Sequence, residues 1–557
     1  MVRAAPIILL IAGGLTFLAG LGRPAIGDSD EAFYAESARE MIESGDWLTP
    51  HYNYEYRFQK PILYYWLTAA TYLVAGIGPG TARLWSALSG FGLVFIAWVL
   101  GRRWYGERSG LVAGLITATS FGAFTLARLA LPDMPLAFFV SLSIWAVIAA
   151  GDDQGDSSLA RLTPGTTSTV WRWTVAAAAA ALGVLTKGPL GILLPALVIL
   201  PTLALDRRLR DLAPRNMIPA LLVFAVIALP WYVAMTMEHG TSYVYGFLVG
   251  DNLERFATGR FNEPRPFWFY APILAGGMLP WTPFMLLWTP RLRGWLSGSR
   301  RVDPRDRQLL IWVAAPLLFF SVSVGKQPRY ILPVLPPIAI LLAATIVRAT
   351  DERDRNTFFA ASAVLSGSLL ALLGLLVWRA RSLLIVETPA SIGVASLLIA
   401  ACGAGVLLHA STGSWRGVPF TLSAAGALTL LALQYGALSS GGREPVEEVA
   451  ASIRKQHPTG GHSGPYQVLV RNLVFYTGFR QADLFDARQL TEFLDSPDRV
   501  LCVLPARVLQ DYEATRSKRF RRLAEVPYFN VSTVKLKALL WPDPQEDVET
   551  VVVVSNR

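Results

Sequence analysis

The stretch that decides the fold is DSDEAFYAESAREMIESGDWLTPHYNYEYRFQKPILYYW, residues 28–66, which lies between a first hydrophobic segment and a long series of further ones. The stretch is too polar to cross a bilayer. It carries an early cluster of acids, Asp28, Asp30 and Glu31, and a lysine, Lys60, thirty residues after Asp30. This pattern predicts an active-site loop at the outer face of a membrane enzyme.

The composition of the chain is that of a polytopic membrane protein. Of its 557 residues 53% are hydrophobic and only 16% are charged, and the mean hydropathy of +0.41 excludes a soluble globular protein. The net charge of +10 could suggest a nucleic-acid partner. The arginines, however, cluster in short loops between hydrophobic segments, as the positive-inside rule predicts for cytoplasmic loops.

Thirteen apolar segments predict transmembrane helices, each of which needs about 20 residues. An N-terminus inside the cell places the arginine-rich loops in the cytoplasm and residues 28–66 outside. The first segment lacks a cleavage site and is predicted to be retained, whereas the short apolar stretch 62–76 is predicted to be re-entrant or interfacial. The predicted spans are residues 5–22, 82–101, 109–126, 132–150, 173–186, 189–205, 216–236, 267–290, 309–323, 330–348, 358–377, 386–409 and 417–437.

An odd number of spans places the remainder of the chain outside, and there the composition changes. We therefore predict a transmembrane domain at 1–437, with a first periplasmic loop at 23–81, and a small periplasmic α/β domain at 438–557. In the second domain an amphipathic helix is predicted at VEEVAASIRKQH (446–457). Strands are predicted at YQVLVRN (466–472), RVLCVLP (499–505), VKLKALLW (534–541) and ETVVVVSN (549–556).

The polar residues predicted at the outer face suit a substrate that carries a phosphate. Few charges fall inside the spans, where an ion-coupled transporter would need them. Acids beside several lysines and arginines suit a phosphate together with a polar leaving or attacking group. These residues are Asp30, Glu31, Lys60, Arg128, Asp133, Lys187, Asp251, Glu254, Arg255, Arg260, Arg265, Lys326, Arg329 and Tyr330.

Structural explanations for the same residues stay open. Asp28 and Glu31 fit a capping box for a helix over 29–43, whose apolar face carries Tyr34. Asp133 could cap the helix that follows it. The lysines could extend from apolar helices to the membrane surface, and the aromatic runs could be interface belts.

Six motifs in order resemble the bacterial lipid A aminoarabinose transferases and, more broadly, the GT-C membrane glycosyltransferases of the protein O-mannosyltransferase type. The resemblance covers about residues 1–350. It implies an inner-membrane enzyme that moves a sugar, with inversion, from a polyprenyl (undecaprenyl) phosphate carrier to an envelope acceptor such as lipid A, at the periplasmic face. The motifs are SDEAFYAESAREMIESGDWLTP, FQKPILYYW, RLALPDMP, LTKGPL, the ERF and PFWFY stretch at 254–270, and KQPRYILPVLPPIAIL.

The same resemblance implies roles for matching residues. Asp30 corresponds to the catalytic acid, which would be the general base where the acceptor is a hydroxyl, and Glu31 completes the acidic pair. Lys60 corresponds to a lysine that binds the carrier phosphate and stabilises it as it leaves. Asp133 corresponds to a second acid near the site. Substrate- or carrier-binding positions are implied for Tyr34, Lys187, Glu254, Arg255, Lys326, Arg329 and Tyr330.

Two positions depart from the aminoarabinose transferases and leave the sugar and the acceptor open. Phe33 stands where those enzymes have an arginine, and Gln59 where they have a glutamate associated with a bound metal. We predict no metal ligands and no cofactor, with a divalent cation left open. The predicted partners are a polyprenyl-phosphate-linked sugar, lipid A or another envelope glycolipid, and the bilayer, without nucleic acid. The alternatives are a protein or polymer O-glycosyltransferase, and a transporter or flippase of a lipid-linked sugar.

Overall fold

The computed structural model describes residues 4–148, 169–258, 264–299, 301–351, 357–383, 389–438, 444–457, 461–516, 519–529 and 536–557. Parts of two predicted spans, 149–150 and 386–388, lie outside these ranges. Helices occupy all thirteen predicted positions. They are Ala5–Gly13 with Gly14–Leu18, Pro79–Tyr105, Glu107–Thr119 with Phe121–Ala127, Asp133–Ile148, Thr169–Lys187, Leu190–Leu205, Pro214–Val244 with Tyr245–Glu254, Tyr270–Gly277 with Thr282–Trp288 and Thr289–Leu296, Pro304–Val322, Pro328–Val334 with Leu335–Asp351, Thr357–Arg379, Pro389–Ser411, and Val418–Ala432 with Leu433–Leu438.

Not all of these helices are long enough to span a membrane by themselves. Within the described ranges seven are long and apolar enough, or up to nine if each of two bent pairs is one span. The pairs bend by 58° between Thr119 and Phe121 and by 112° between Gly277 and Thr282. Three further apolar helices, Ala5–Leu18, Asp133–Ile148 and Leu190–Leu205, are shorter. The protein is therefore a multi-pass α-helical membrane protein, and thirteen spans stay a prediction.

The polar stretch after the first helix folds into a helix, a hairpin and a short apolar helix. The helix Asp30–Ser44 agrees with the prediction, but the predicted capping box is wrong. The hydroxyl of Ser29 caps the helix by accepting from the backbone N–H of Glu31, whereas Asp28 binds elsewhere. At the other end Gly45 has φ +72°, a left-handed conformation that ends helices. Strands β1 (His51–Tyr52) and β2 (Glu55–Tyr56) pair antiparallel, and the apolar helix is Leu63–Ala75.

A buried ion pair fixes this loop to the membrane helices. Arg83, in the helix Pro79–Tyr105, places Nε 2.7 Å from Oε1 of Glu31, and the two side chains are 2% and 1% exposed. A buried charge is stable only when it is paired and its remaining hydrogen-bonding groups are satisfied. Here Arg83 also donates to the carbonyls of Leu21, Pro24 and Ala25, and Glu31 also accepts from the backbone N–H groups of Gly27 and Ala130.

Residues 444–557, here the C-terminal segment, contain a four-stranded sheet of order β3-β4-β6-β5. Strands β3 (Ser463–Pro465) and β4 (Leu501–Pro505) are parallel, whereas β6 (Glu549–Ser555) pairs antiparallel with β4 and with β5 (Arg521–Tyr528). Valine-rich β6 is fully buried along its centre. The helices of this segment are Pro445–Gln456, Leu473–Thr477, Ala487–Leu494, Ala506–Arg516, Leu536–Leu540 and Pro544–Asp547.

The structure confirms three of the helices and strands predicted for the C-terminal segment and contradicts two others. The helix at 446–457 and the strands at 499–505 and 549–556 are confirmed. The strand at 466–472 is wrong, because Gln467 and Leu469 adopt left-handed backbone conformations that interrupt a strand. The strand at 534–541 is also wrong, since its described part forms a helix from the good helix formers LKALL. Strand β5 was missed because its arginines and proline obscure an edge strand.

We expect Arg83→Met to destabilise the protein by about 3–5 kcal/mol, because Glu31 would stay buried without its charged partner. The measurement is the melting temperature of the detergent-solubilised protein. The control is Arg488→Met, since Arg488 pairs with Glu492 at 3.7 Å while 80% exposed, and such surface pairs contribute about 0–1 kcal/mol. Equal melting temperatures of the two variants would contradict the assignment.

Candidate active site

A cavity of about 880 Å³ opens beside the start of the helix Asp30–Ser44. Its charged lining contains five basic and three acidic side chains, so the cavity carries more positive than negative charge. An excess of positive charge in a partly enclosed site attracts anions such as phosphates. The charged residues are Asp30, Arg57, Lys60, Asp133, Lys187, Asp251, Arg329 and Arg471.

Five of these side chains form a chain of alternating charges. Lys187 Nζ lies 2.5 Å from Asp133 Oδ1, and Asp133 Oδ2 lies 3.4 Å from Arg329 Nε. Arg329 in turn binds Asp30 Oδ2, and Arg471 Nη1 lies 3.4 Å from Asp30 Oδ1. The exposed fraction rises from 9% at Lys187 to 46% at Arg471. This series of alternating charges therefore runs from the buried interior to the mouth of the cavity.

A second group of charges surrounds Lys60. Its ammonium pairs with the buried carboxylate of Asp251. Nearby in sequence, Arg57 places its guanidinium 4.0 Å from the ring centroid of Phe33. Its Nε is buried, and no hydrogen-bond partner lies within the described structure. Burial lowers the pKa of Arg57, but Tyr65, Tyr34 and Asp251 raise it above its usual value. Arg57 is therefore a permanent cation in the cavity.

The carboxyl group of Asp30 is held ionised. Burial alone would raise its pKa, but the neighbouring guanidinium groups of Arg329, Arg471 and Arg57 offset that effect and hold the pKa below its usual value of 3.8. An ionised carboxylate at neutral pH can accept a proton or orient a cation, but it cannot act as a general acid.

The remainder of the cavity is apolar. Aliphatic and aromatic side chains form a wall beside the charged groups. A lipid that carries a phosphate needs both kinds of surface, because its hydrocarbon chain gains free energy from apolar burial while its head needs cations. The apolar lining includes Leu190, Leu193, Leu253, Phe256, Phe319 and Phe320.

Relatives of known activity resemble most of the chain. Residues 28–240 match the family of dolichyl-phosphate-mannose-protein mannosyltransferases. An undecaprenyl phosphate-α-4-amino-4-deoxy-L-arabinose arabinosyl transferase of Pseudomonas paraeruginosa is 33% identical over 73% of this chain and 71% of its own length. One of Pseudomonas fluorescens is 33% identical over 77% of this chain and 75% of its own. The chain belongs to this arabinosyl transferase family.

Solved structures show that the transferase has the GT-C fold. The crystal structure of ArnT from Cupriavidus metallidurans bound to undecaprenyl phosphate is similar with a TM-score of 0.72 and 23% identity, over 100% of this chain and 98% of that chain. An Archaeoglobus fulgidus oligosaccharyltransferase is similar with a TM-score of 0.51 and 13% identity, over 91% of this chain and 69% of that chain. The fold is thus shared with proteins of low sequence identity.

The structure of the transferase brings most of the predicted site residues together. Lys187 lies 4.9 Å from the ring centroid of Tyr330, and Tyr34 stacks on Tyr65 with ring centroids 5.5 Å apart. The roles of these side chains stay predictions, but their shared location is an observation. The predicted residues that line the cavity are Asp30, Tyr34, Lys60, Asp133, Lys187, Arg329 and Tyr330.

Three predicted residues, Glu31, Lys326 and Glu254, do not line the cavity within the described structure. Glu31 lies in the buried pair with Arg83, where its carboxylate is occupied by structural contacts. Lys326 donates to the backbone carbonyls of Ser323 and Arg265. Glu254 ends the helix Tyr245–Glu254 outside the lining. The side chain of Arg255 lies outside the described structure, as do residues 259–263 of the ERF and PFWFY stretch.

Two basic lining residues were missed by sequence reasoning. Arg57 lies three residues before Lys60 in the same polar loop, so its position was a usable signal. Arg471 carried no such signal, since it lies 441 residues after Asp30 and in a stretch predicted to be a strand. Gln59 also lines the cavity and presents a neutral amide there. Within the described ranges no group of three or more His, Cys, Asp or Glu side chains could hold a metal.

We expect opposite effects from the two partners of the Lys60 pair on the binding of undecaprenyl phosphate. Lys60→Ala removes a positive charge and should weaken binding about 10-fold, whereas Asp251→Asn removes a negative charge and should tighten it by a similar factor. The dissociation constant would be measured on the purified protein. Lys455→Ala, on the exposed face of the helix Pro445–Gln456, is the control. Weaker binding by both site variants would contradict the electrostatic explanation.

Proposed function

We propose that this transferase moves a sugar from undecaprenyl phosphate to an envelope acceptor such as lipid A, at the periplasmic face of the bacterial inner membrane and with inversion. The observation that carries the proposal is the cavity, which joins a cationic end to an apolar wall. A polyprenyl phosphate has the two complementary parts, an anionic head and a hydrocarbon chain. The relatives are named for 4-amino-4-deoxy-L-arabinose, so this pentose is the first donor sugar to test.

The proposed reaction is a single displacement at the anomeric carbon. An acceptor oxygen forms a bond to the anomeric carbon while the bond between this carbon and the carrier phosphate oxygen breaks. The electron pair of the broken bond leaves with the phosphate. Lys60 and Arg57 would stabilise the negative charge that develops on the carrier phosphate. If the acceptor is a hydroxyl, its proton passes to Asp30. If it is a phosphate dianion, no proton moves, and Asp30 orients the guanidinium groups.

The other predicted residues take supporting roles in this proposal. Asp133 holds Lys187 and Arg329 in place through its two oxygens. Tyr34 and Tyr330 would pack against the sugar or the carrier head. Glu31 is proposed to position Asp30, its neighbour in sequence, because its own carboxylate is used by Arg83. Glu254 and Lys326 stay proposed binding positions outside the observed lining. Arg255, whose side chain lies outside the described structure, stays a proposed binding position as well.

We further propose thirteen spans, a transmembrane domain at 1–437 with the loop 23–81 outside, and a periplasmic domain at 438–557. The helix Pro79–Tyr105 supports this orientation. Arg83 near its start binds the loop, and Arg102 and Arg103 lie in its last turn. Nineteen residues of helix cover about 29 Å, close to the thickness of the hydrocarbon core. The arginines therefore lie one membrane thickness away from the loop, as cytoplasmic residues would.

A second candidate is a protein O-glycosyltransferase, which the match of residues 28–240 to the protein mannosyltransferase family favours. The two candidates share the carrier and the displacement and differ in the acceptor. The chemical nature of the labelled product therefore distinguishes them.

We expect membranes that contain the wild-type protein to transfer label from undecaprenyl-phosphate-linked 4-amino-4-deoxy-L-arabinose to envelope lipid. Asp30→Asn should slow transfer by at least about 100-fold, because it removes the proton acceptor for a hydroxyl or, for a phosphate, the charge that orients the guanidinium groups. Asp46→Asn is the control, since Asp46 accepts backbone N–H groups outside the cavity. Label in protein would favour the second candidate. Transfer unaffected by Asp30→Asn would refute the site, and carrier binding without any transfer would favour the transporter.

We expect the acid limb of the pH–rate profile to depend on Arg329. Because the pKa of Asp30 lies below 3.8, the wild-type carboxylate should stay ionised as the pH falls from 8 to about 5. In Arg329→Gln burial is no longer offset by this cation, so the pKa rises and activity is lost at a higher pH. A profile of kcat for the two proteins checks this. An acid limb that lies at lower pH in Arg329→Gln than in the wild type would contradict this explanation.

A further inference from the structure

The C-terminal segment docks on both sides of the helix Asp30–Ser44, here the loop helix, through contacts around the backbone of Arg471. The carboxylate of Asp28 accepts from the backbone N–H groups of Val470 at 3.2 Å and Arg471 at 2.7 Å. The hydroxyl of Tyr52 donates to the carbonyl of Arg471 at 2.9 Å, and the side-chain amide of Asn472 donates to the carbonyl of Ile26, also at 2.9 Å. These contacts fix the backbone of Arg471 without using its side chain.

Backbone strain directly precedes this docking point. Gln467 and Leu469 have φ of +63° and +55°, a region that side chains other than glycine rarely adopt. Leu469 is 1% exposed and packs in the core of the C-terminal segment. Strain of this kind persists where surrounding packing enforces it, and it concentrates at functional sites. The strained turn therefore points to a function for the residues that follow it.

The side chain of Arg471 lies at the outer end of the alternating chain of charges. Its guanidinium lies 5.2 Å from the ring centroid of Phe33, which supports it from one side. Its contact with Asp30, at 3.4 Å, is longer than the 2.5 Å between Lys187 and Asp133 at the inner end. Arg471 is 46% exposed, against 21% for Arg329, 13% for Lys60 and 9% for Lys187, so it lies nearer the mouth than these basic residues of the lining.

We infer that Arg471 binds the anionic group of the acceptor at the mouth of the cavity. The inference rests on the proposed transferase function and names a residue that the C-terminal segment contributes to its site. A guanidinium group can bind phosphate through two parallel hydrogen bonds, which fixes orientation as well as distance. An incoming phosphate would replace Asp30 as the partner of Arg471. The inner cations, which Asp133 and Asp251 hold, stay with the carrier phosphate.

The test compares Arg471→Ala with Arg480→Ala. Arg480 belongs to the same docking surface, pairs with Glu55 and does not line the cavity, so its loss affects docking alone. We expect Arg471→Ala to raise KM for lipid A that carries phosphates by about 10-fold, the effect of losing one charge-assisted contact, with the donor KM unchanged. Arg471→Lys should restore part of the loss, because a lysine keeps the charge but not the paired geometry.

A rise of the donor KM alone in Arg471→Ala, or an equal effect of Arg480→Ala on the acceptor KM, would overturn the inference. Retention of phosphorylated and of dephosphorylated lipid A by the immobilised protein is a second readout that needs no transfer. Wild type should retain the phosphorylated form more strongly, and Arg471→Ala should lose this difference. If wild type transfers no sugar, the proposed function fails, while this binding result still decides whether Arg471 recognises the anion. Equal retention by wild type and Arg471→Ala would then refute it.

Discussion

The buried ion pair of Glu31 and Arg83 is the interaction on which the position of the site depends. Two charges removed from water are stable only together and only when their remaining donors and acceptors are satisfied. That requirement draws four separate parts of the chain to one point: the turn after the first helix, the start of the loop helix, the start of Pro79–Tyr105 and the backbone at Ala130. Asp30 follows Ser29 and precedes Glu31, so its location is set by the structural demand of its neighbour.

Most charged side chains of the cavity are also paired with opposite charges, although they are less buried than Glu31 and Arg83. The aspartates of the cavity each face at least one cation, which reduces the cost of holding them in a partly enclosed site. With five basic and three acidic residues, the cavity keeps an excess of positive charge, which an anionic substrate would neutralise. Binding of a phosphate therefore exchanges internal pairs for external ones and does not bring a charge into an empty pocket. This explains why a site with so many ionisable groups can be stable before any substrate arrives.

Much of this arrangement could be predicted because its signals are local. Hydrophobic segments mark the helices, and Asp30, Lys60, Asp133, Lys187 and Arg329 each stand in a recognisable motif. Contacts between residues far apart in the chain have no local signal in the sequence. The strain at Leu469 and the proximity of Arg471 to Asp30 come from tertiary packing, which overrides local propensity. Phe33 is instructive, because the resemblance implies an arginine at this position and the sequence therefore predicts a loss of charge. In the structure, Arg57 and Arg471 flank the Phe33 ring at 4.0 and 5.2 Å. Positive charge is present there, supplied by other parts of the chain.

The docking of residues 470–472 onto the first polar loop also has a consequence for biosynthesis. The loop leaves the ribosome early, whereas Arg471 is added only after all the apolar helices have been made. A nascent chain can therefore insert its helices and form the apolar wall of the cavity well before the mouth has its outer cation. Chain completion and the folding of the C-terminal segment thus act as a final assembly step, and a molecule interrupted before that step holds an unfinished site.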